Sequence, residues 1–415
     1  MDIPHSDILV IGGGASGMMT AIIAARQGAK VRILERMNRI GKKLLVTGNS
    51  RCNLTNLSCH SDHYHGARKI FIESVLKQHD VHSTLKLFQN LGLAWKTDSE
   101  NRVYPLSEQA ASILDILRLA LSHHHVDICC SAKADRLEYH NHQFIVTLKN
   151  HCRFSANVII LAAGGQARKD LGSNGSGFEL AKCMGHHIIL PYPALVKIKI
   201  NCPYLKSLKG VRTNAMLTLL SGKNPIVTSS GELMFTEDGI SGIPALQISR
   251  HVHSILQHKN KGHIQIDLLP AYSSDILTTD LKTRFQLLEH LTADQALITI
   301  LKKRLIVPIL KSAGISLHTK VKQLSNDQIH RLTSVLKQWT FPVTGTKSWN
   351  EAQVTAGGVD TEEINPDTME SHIKPGLYFC GEIMNVDGNC GGYNLQWAWS
   401  TGYIAGKSAA EACHC

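Results

Sequence analysis

A chain of 415 residues exceeds what one ordinary hydrophobic core organises, so two or three domains are expected, one of them interrupted by another. With 43% hydrophobic and 19% charged residues the composition is globular, and no apolar run approaches the roughly 18 to 20 residues of a membrane span. The formal charge of +11 is uneven: residues 191–345 hold 19 Lys/Arg against 9 Asp/Glu, while the rest of the chain is nearly balanced.

The opening MDIPHSD is polar and leads directly into a strand, unlike a signal peptide. Residues 7–35 then read as a βαβ unit: the strand DILVI, the turn GGGASG, the helix MMTAIIAARQG and a second strand AKVRILE ending at Glu35. Gly12 allows the tight turn, Gly14 lets a pyrophosphate approach the backbone, and Gly17 lets helix and strand pack closely. Gly13, Ala15 and Ser16 complete the turn, and Glu35, with Arg36 beside it, stands where a carboxylate accepts from ribose hydroxyls. This is a dinucleotide-binding pattern.

Residues 66–126 are largely helical, interrupted by the polar connection TDSENRVYPLSEQ. Residues 132–165 read as strands, the last of which, NVIILAAGG, runs into Ala163, Gly164 and Gly165, a second close backbone approach. GSNGSGFELAKCMGH is a turn and a helix closed by Gly185. From 191 to 274 the segments ALVKIKI, NAMLTLL, GELMFT and GHIQIDLLP alternate apolar and polar residues between glycine and proline turns, an inserted antiparallel β region with a closing strand at about 340–346. Residues 275–339 change to helical period and form an α-helical subdomain carrying Lys302, Lys303, Arg304 and Lys311. GLYFCGE, 376–382, restores a buried strand. It precedes VDGNCGGYNLQWAWSTGYIAG, Val386 to Gly406, a second glycine-rich turn entering a helix, nearly four hundred residues from the first.

The eleven cysteines are odd in number and lack metal-ligand spacing, which fits a reducing cytoplasm and no metal site; Cys413, His414 and Cys415 form a short tail. The histidine runs at 123–125 and 186–187 read as surface helix ends.

Several stretches jointly resemble the bacterial family of FAD-binding NAD(P)-dependent oxidoreductases, the BaiN-like or aminoacetone-oxidase-like family, which includes flavoproteins of the ribosomal RNA dihydrouridine synthase type. They are VIGGGASGMM, GKKLLVTGNSRCNLTN, NRVYPLS, LAAGG, GELMFTEDGISGIPALQISR, EAQVTAGGVDTEEINPDTMESH and GLYFCGEIMNVDGNCGGYNLQWAWSTGYIAG, and they extend over most of the chain. The resemblance implies a Rossmann-like FAD-binding domain, residues 1–190 and 346–415, interrupted by the β region and its helical subdomain. It also implies a reason for two glycine turns: FAD is long, and each turn serves one end of it. Lys42, Lys43, Gly48, Asn49, Arg51, Cys52 and Asn53 are expected on the cofactor, with Cys52 as the candidate proton donor. At the flavin end the expected residues are Gly381, Glu382, Asp387, Gly388, Gly391, Gly392, Tyr393, Asn394 and Leu395, Glu382 and Asp387 being rivals for the ribityl chain. The chain departs from the family's usual pattern at QARKDLGSNGSG and at Asn385, Asn389 and Cys390.

One dinucleotide fingerprint, taken by FAD, leaves NADH or NADPH as a transient electron donor. The preferred substrate reading is uridine in large-subunit ribosomal RNA, reduced to dihydrouridine, with the basic region 191–345 gripping the RNA. A small-molecule enone or steroid reductase, an amine oxidase, and a non-catalytic RNA- or protein-binding flavoprotein are the alternatives.

Overall fold

The computed structural model describes residues 3–257 and 261–414. The chain divides into two compact units, one formed by the chain up to Pro193 and from Trp349 onward, the other by Ala194–Ser348.

In the first unit the strand His5–Ile11 lies at the centre of a seven-stranded sheet, parallel to Val31–Leu34 on one side and to Arg153–Leu161 on the other. Asp127–Cys129 and Leu377–Phe379 extend the parallel part, while Gln143–Leu148 and Ala134–His140 add an antiparallel edge. Ile8, Leu9 and Val10 are all fully buried, as a strand covered on both faces requires.

The first helix, Ala15–Arg26, is buried nearly all round from Ser16 to Ala24 because a second helix covers the side away from the sheet. That partner is the last helix, Tyr393–His414. The two meet through glycine. A Cβ on Gly402 would lie 2.7 Å from the carbonyl oxygen of Ser16, and one on Gly406 would lie 2.5 Å from that of Thr20. Thr20 Oγ1 donates to Gly402 O at 2.8 Å across the same contact. Each glycine costs a helix about 1 kcal/mol relative to alanine, and the close approach offsets that cost. Because Ser16 faces Gly402 and Thr20 faces Gly406, the helices run parallel. The last helix therefore starts about nine residues, roughly 13 Å, ahead of the level of Ser16.

The connection 97–109, expected as a polar loop, contributes the strand Arg102–Pro105, which pairs with Trp95–Thr97 and Thr55–Asn56. Val354–Val359 pairs with Ile188–Ala194, a two-stranded sheet that alternation did not reveal.

The second unit is a closed six-stranded barrel, in the order Ile198–Ile200, Gly239–Gly242, Asn224–Phe235, Arg212–Ser221, Gly262–Asp267, Trp339–Thr346. Closure removes exposed strand edges. The expected all-β stretch 191–274 contains a helix, Ile243–Gln257, that touches all six strands and buries Ala245, Ile248, Val252 and Ile255. Those four positions have helical spacing, a signal outweighed by the alternation around it. Helices Ser274–Leu287, Lys303–Ser312 and Asn326–Gln338 follow. Lys337 ties the last of them to the barrel through a buried pair with Asp267 at 2.6 Å. The Rossmann-like domain, antiparallel insertion and helical subdomain are thus all present.

Among the described residues no helix is long and apolar enough to cross a membrane. Gly406→Val should destabilise the protein by about 3 kcal/mol or more, since the new side chain meets backbone on the first helix; urea unfolding of the two proteins measures it.

Candidate functional site

The first unit opens at the carboxyl ends of its parallel strands into a cleft enclosing about 1260 Å³ of atom-free space, continuous with solvent.

The floor is the first glycine turn. Gly12 has φ +114°, and a Cβ there would lie 2.4 Å from Ala162 O; Gly17 lies so close to Gly12 that only hydrogen fits between them. These two glycines serve packing. Gly14 differs, because a Cβ built on it meets no atom within 4 Å and its φ of −81° suits any residue. The first helix has no side-chain cap and no acidic residue in its first turn, so its leading N–H groups face the cleft without an internal acceptor.

Glu35 holds this floor in shape. Its Oε2 accepts from Gly13 N at 2.8 Å and its Oε1 from Met37 N at 2.7 Å. Burial raises the carboxyl's pKa, and the two backbone donors oppose that shift. Each oxygen keeps a lone pair for a further donor. Five cationic side chains, Arg36, Arg39, Lys42, Lys43 and Lys133, line the cleft against two carboxylates, Glu35 and Glu382, an excess that attracts an anion.

Glu382 is held from two directions: Lys43 Nζ donates to Oε2 at 2.6 Å, and Thr355 N donates to Oε1 at 2.8 Å. Thr355 Oγ1 in turn accepts from Gln166 N and Ala167 N. Gly165 has no room for a side chain, since a Cβ would fall 2.2 Å from that hydroxyl; Ala163 and Gly164 line the cleft next to it. Gly381, with φ +78°, brings Glu382 in by passing within 2.4 Å, measured from an ideal Cβ, of Ser16 Oγ. Glu382 lines the cleft and Asp387 does not, which separates the two rivals. Asp387 is instead buried in a strand pair with His65.

The second glycine turn is closed by Asn394, whose amide accepts from Gly388 N at 2.8 Å and donates to Gly388 O at 2.7 Å. Gly391 and Gly392 have φ +132° and +99°, and the latter packs against Thr55 backbone. Asn394 and Leu395 reach the cleft. Tyr393 does not; it stacks on His63 with ring centroids 4.3 Å apart.

The loop after Lys43 departs from expectation. Leu44 and Thr47 reach the cleft, whereas Gly48, Asn49, Arg51, Cys52 and Asn53 do not. Cys52 is fully buried in the core, and burial pushes its thiol up to about 12, opposed by the Thr47 hydroxyl. A thiol enclosed this way has no access to the cleft, and its burial argues against Cys52 as proton donor. Arg51 lies over the Tyr104 ring at 4.7 Å. Asn53, with its amide oriented to satisfy both groups, donates to Thr55 O at 3.0 Å and accepts from Gly392 N at 3.1 Å, bracing one loop on the other. Asn49, Ser50 and Cys52 all have positive φ, 55°, 65° and 60°. Such conformations cost about 1 kcal/mol or more each and persist only where neighbours dictate them.

Sequence reasoning missed Arg39, Ala132–Ala134, Gly172, Ser173, Gln353 and Trp397, all of which line the cleft. Ala132–Ala134 follow a parallel strand at its carboxyl end, a usable signal once strand order is known. His186 is buried, bonded to Glu363 at 3.0 Å and Ser371 at 2.8 Å, so it is no surface helix end. The tail expectation at Cys413, His414 and Cys415 falls partly outside the described residues.

A family model, the HI0933-like protein Rossmann domain, matches residues 6–408. The chain belongs to this family. It is the FAD-dependent oxidoreductase family that the sequence motifs resemble. The chain is 41% identical over 404 residues to the 3-dehydro-bile acid delta(4,6)-reductase of Clostridium scindens, covering 97% of this chain and 98% of the relative. It is 29% identical over 415 residues to the ribosomal RNA dihydrouridine synthase of Haemophilus influenzae, covering 98% and 99%. Among solved structures, 3-ketosteroid delta1-dehydrogenase from Sterolibacterium denitrificans aligns over 98% of this chain and 100% of that one, with TM-score 0.52 and 12% identity, a likeness of fold.

With its thiol pKa near 12, Cys52 stays protonated across neutral pH, so iodoacetamide at pH 8 should alkylate the exposed Cys130, Cys152 and Cys183 and spare Cys52 in the native protein. Peptide mass mapping before and after denaturation reads this directly.

Proposed function

We propose that the cleft holds FAD and that the protein uses NADH or NADPH to reduce a carbon–carbon double bond conjugated to a carbonyl, the substrate being uridine in large-subunit ribosomal RNA. The observation that carries the cofactor reading is the open ground over Gly14, where a Cβ would meet nothing, beside helix N–H groups that lack acceptors. A pyrophosphate fits such ground. The cleft's two helix N-termini, offset by roughly 13 Å, suit a ligand with anionic or carbonyl acceptors at both ends.

Bound FAD supplies hydride transfer. This chain's residues supply position and charge. The turn at Gly13 and Gly14 and the start of the first helix hold the pyrophosphate, and the free lone pairs of Glu35 accept from ribose hydroxyls. Glu382, fixed by Lys43 and Thr355, presents a rigid carboxylate edge for the ribityl hydroxyls. The N-terminus of the last helix, at Asn394 and Leu395, favours negative charge next to it and so favours the reduced cofactor.

The charge of the second unit supports the RNA reading: residues 191–345 hold 19 basic against 9 acidic residues, and an RNA substrate must be held by its phosphates while the target base leaves its stack. A second reading, a steroid-type enone as substrate, is favoured by the 41% identity to a protein named as a bile acid reductase. Both are the same reaction: hydride adds to the electron-poor carbon and a proton to its neighbour.

Purified protein should carry FAD, and Gly14→Val should lose it while keeping the unfolding midpoint of the FAD-free wild-type protein, because the new side chain projects only into ligand space. Flavin absorbance and thermal unfolding on the same samples test this. Ribosomal RNA from cells lacking the gene should lack one dihydrouridine by nucleoside mass spectrometry; an unchanged content, with turnover of a 3-oxo-Δ4 steroid by the purified protein, decides for the second reading.

A further inference from the structure

Two long stretches of this chain contain no carboxylate. From 180 to 231 there is no Asp or Glu but seven Lys/Arg, and from 295 to 326 again none but six Lys/Arg. The fold joins them. Arg304, at the start of the helix Lys303–Ser312, donates from Nε to Ser207 O at 2.8 Å, and its Nη2 reaches the same carbonyl. At the far end of that helix Ser312 Oγ approaches the hydroxyl of Tyr204 at 3.5 Å, so the helix lies along the short turn Leu205–Leu208. The contact gathers Lys206, Lys302, Lys303 and Lys311, all exposed, around one ridge. Lys303, Val307 and Lys311 repeat at intervals of four and share the solvent face, while Leu305, Ile306, Ile309 and Leu310 face the core.

The neighbouring cations differ. Lys209 pairs with Glu237 and Arg212 with Glu232, both at under 3 Å. None of Lys206, Lys302, Lys303 and Lys311 has a carboxylate within salt-bridge distance among the described residues. Lys302 and Lys303 also stand at a helix N-terminus, where the macrodipole disfavours positive charge. Two of the four lysines are held against that preference, and the four unneutralised charges together create a concentrated positive field that a polyanion relieves.

We propose that this ridge, Lys206 with Lys302, Lys303 and Lys311, is the surface that grips the phosphate backbone of RNA. It rests on the ribosomal RNA reading of the function and assigns the grip to one place rather than to the whole basic unit. The ridge reads no sequence: lysine is a point charge on phosphate, and selection of the target uridine belongs to the cleft.

The test uses the FAD-loaded protein and large-subunit ribosomal RNA transcribed in vitro, with affinity measured over a range of salt. Each phosphate contact contributes about 0.7 to 0.9 to the slope of log affinity against log salt. The quadruple variant Lys206→Glu, Lys302→Glu, Lys303→Glu, Lys311→Glu should flatten the slope by about 3 while flavin absorbance and flavin reduction by NADH or NADPH stay unchanged. The double variant Lys223→Glu, Lys261→Glu, at the tip of the Arg212–Ser221 and Asn224–Phe235 hairpin, is a control for charge alone and should leave the slope unaltered. If wild-type protein binds RNA and the quadruple variant keeps its slope, or the control flattens it equally per charge, the ridge assignment is overturned and the ribosomal RNA reading stands. If wild-type protein does not bind RNA, or binds phosphatidylserine vesicles in its place, both are overturned.

Discussion

The distance between the first and last helices governs the geometry of the cleft. Gly402 and Gly406 let the helices approach until carbonyl oxygens of Ser16 and Thr20 occupy the space of absent side chains. Between their N-terminal halves runs the end of the strand Leu377–Phe379, fastened by Ser16 Oγ to Cys380 O at 3.3 Å and by Gly381 N to Thr401 Oγ1 at 2.9 Å. Glu382 follows at once, so its carboxylate is positioned by the same contact that sets the helix spacing. A larger residue at either glycine would shift the second helix N-terminus relative to the first, and with it both ends of the cleft.

The two units handle charge in opposite ways. In the cleft each carboxylate is clamped by donors from separate parts of the chain, Glu35 by Gly13 and Met37, Glu382 by Lys43 and Thr355. Such groups lose little entropy when a ligand arrives, which is what preorganisation means for a polar site. On the ridge of the second unit the lysines are long, exposed and unpaired, and their effect is a screened field rather than a fixed contact. The first arrangement suits a ligand of one defined shape and the second a flexible, repeating anion.

The loop 48–53 illustrates how motif and mechanism can part. Its residues belong to a distinctive stretch, yet they act on the protein rather than on the cleft: Asn53 reaches Gly392, Arg51 covers Tyr104, and Cys52 fills core volume in a left-handed conformation. Asn53 is the member of this loop that braces it on the second glycine turn.

Local pattern determined a good deal. The βαβ unit at 7–35, the buried strand leading to Gly164, the alternating barrel strands and the helical period from 275 onward were all legible, because hydrophobic period and glycine placement act over a few residues. Glu35 was legible for the same reason, standing a fixed distance from a recognisable turn. What no local pattern contains is which distant segments meet. Burial of Cys52 and His186, the choice of Glu382 over Asp387, the pairing of Val354–Val359 with Ile188–Ala194, and the meeting of two carboxylate-free stretches at Arg304 and Ser207 all depend on contacts between residues far apart in the chain. The sequence by itself determined the kinds of element and the type of ligand their turns could hold; tertiary structure alone decided which side chains line the cleft, since burial and electrostatic environment are properties of neighbours in space.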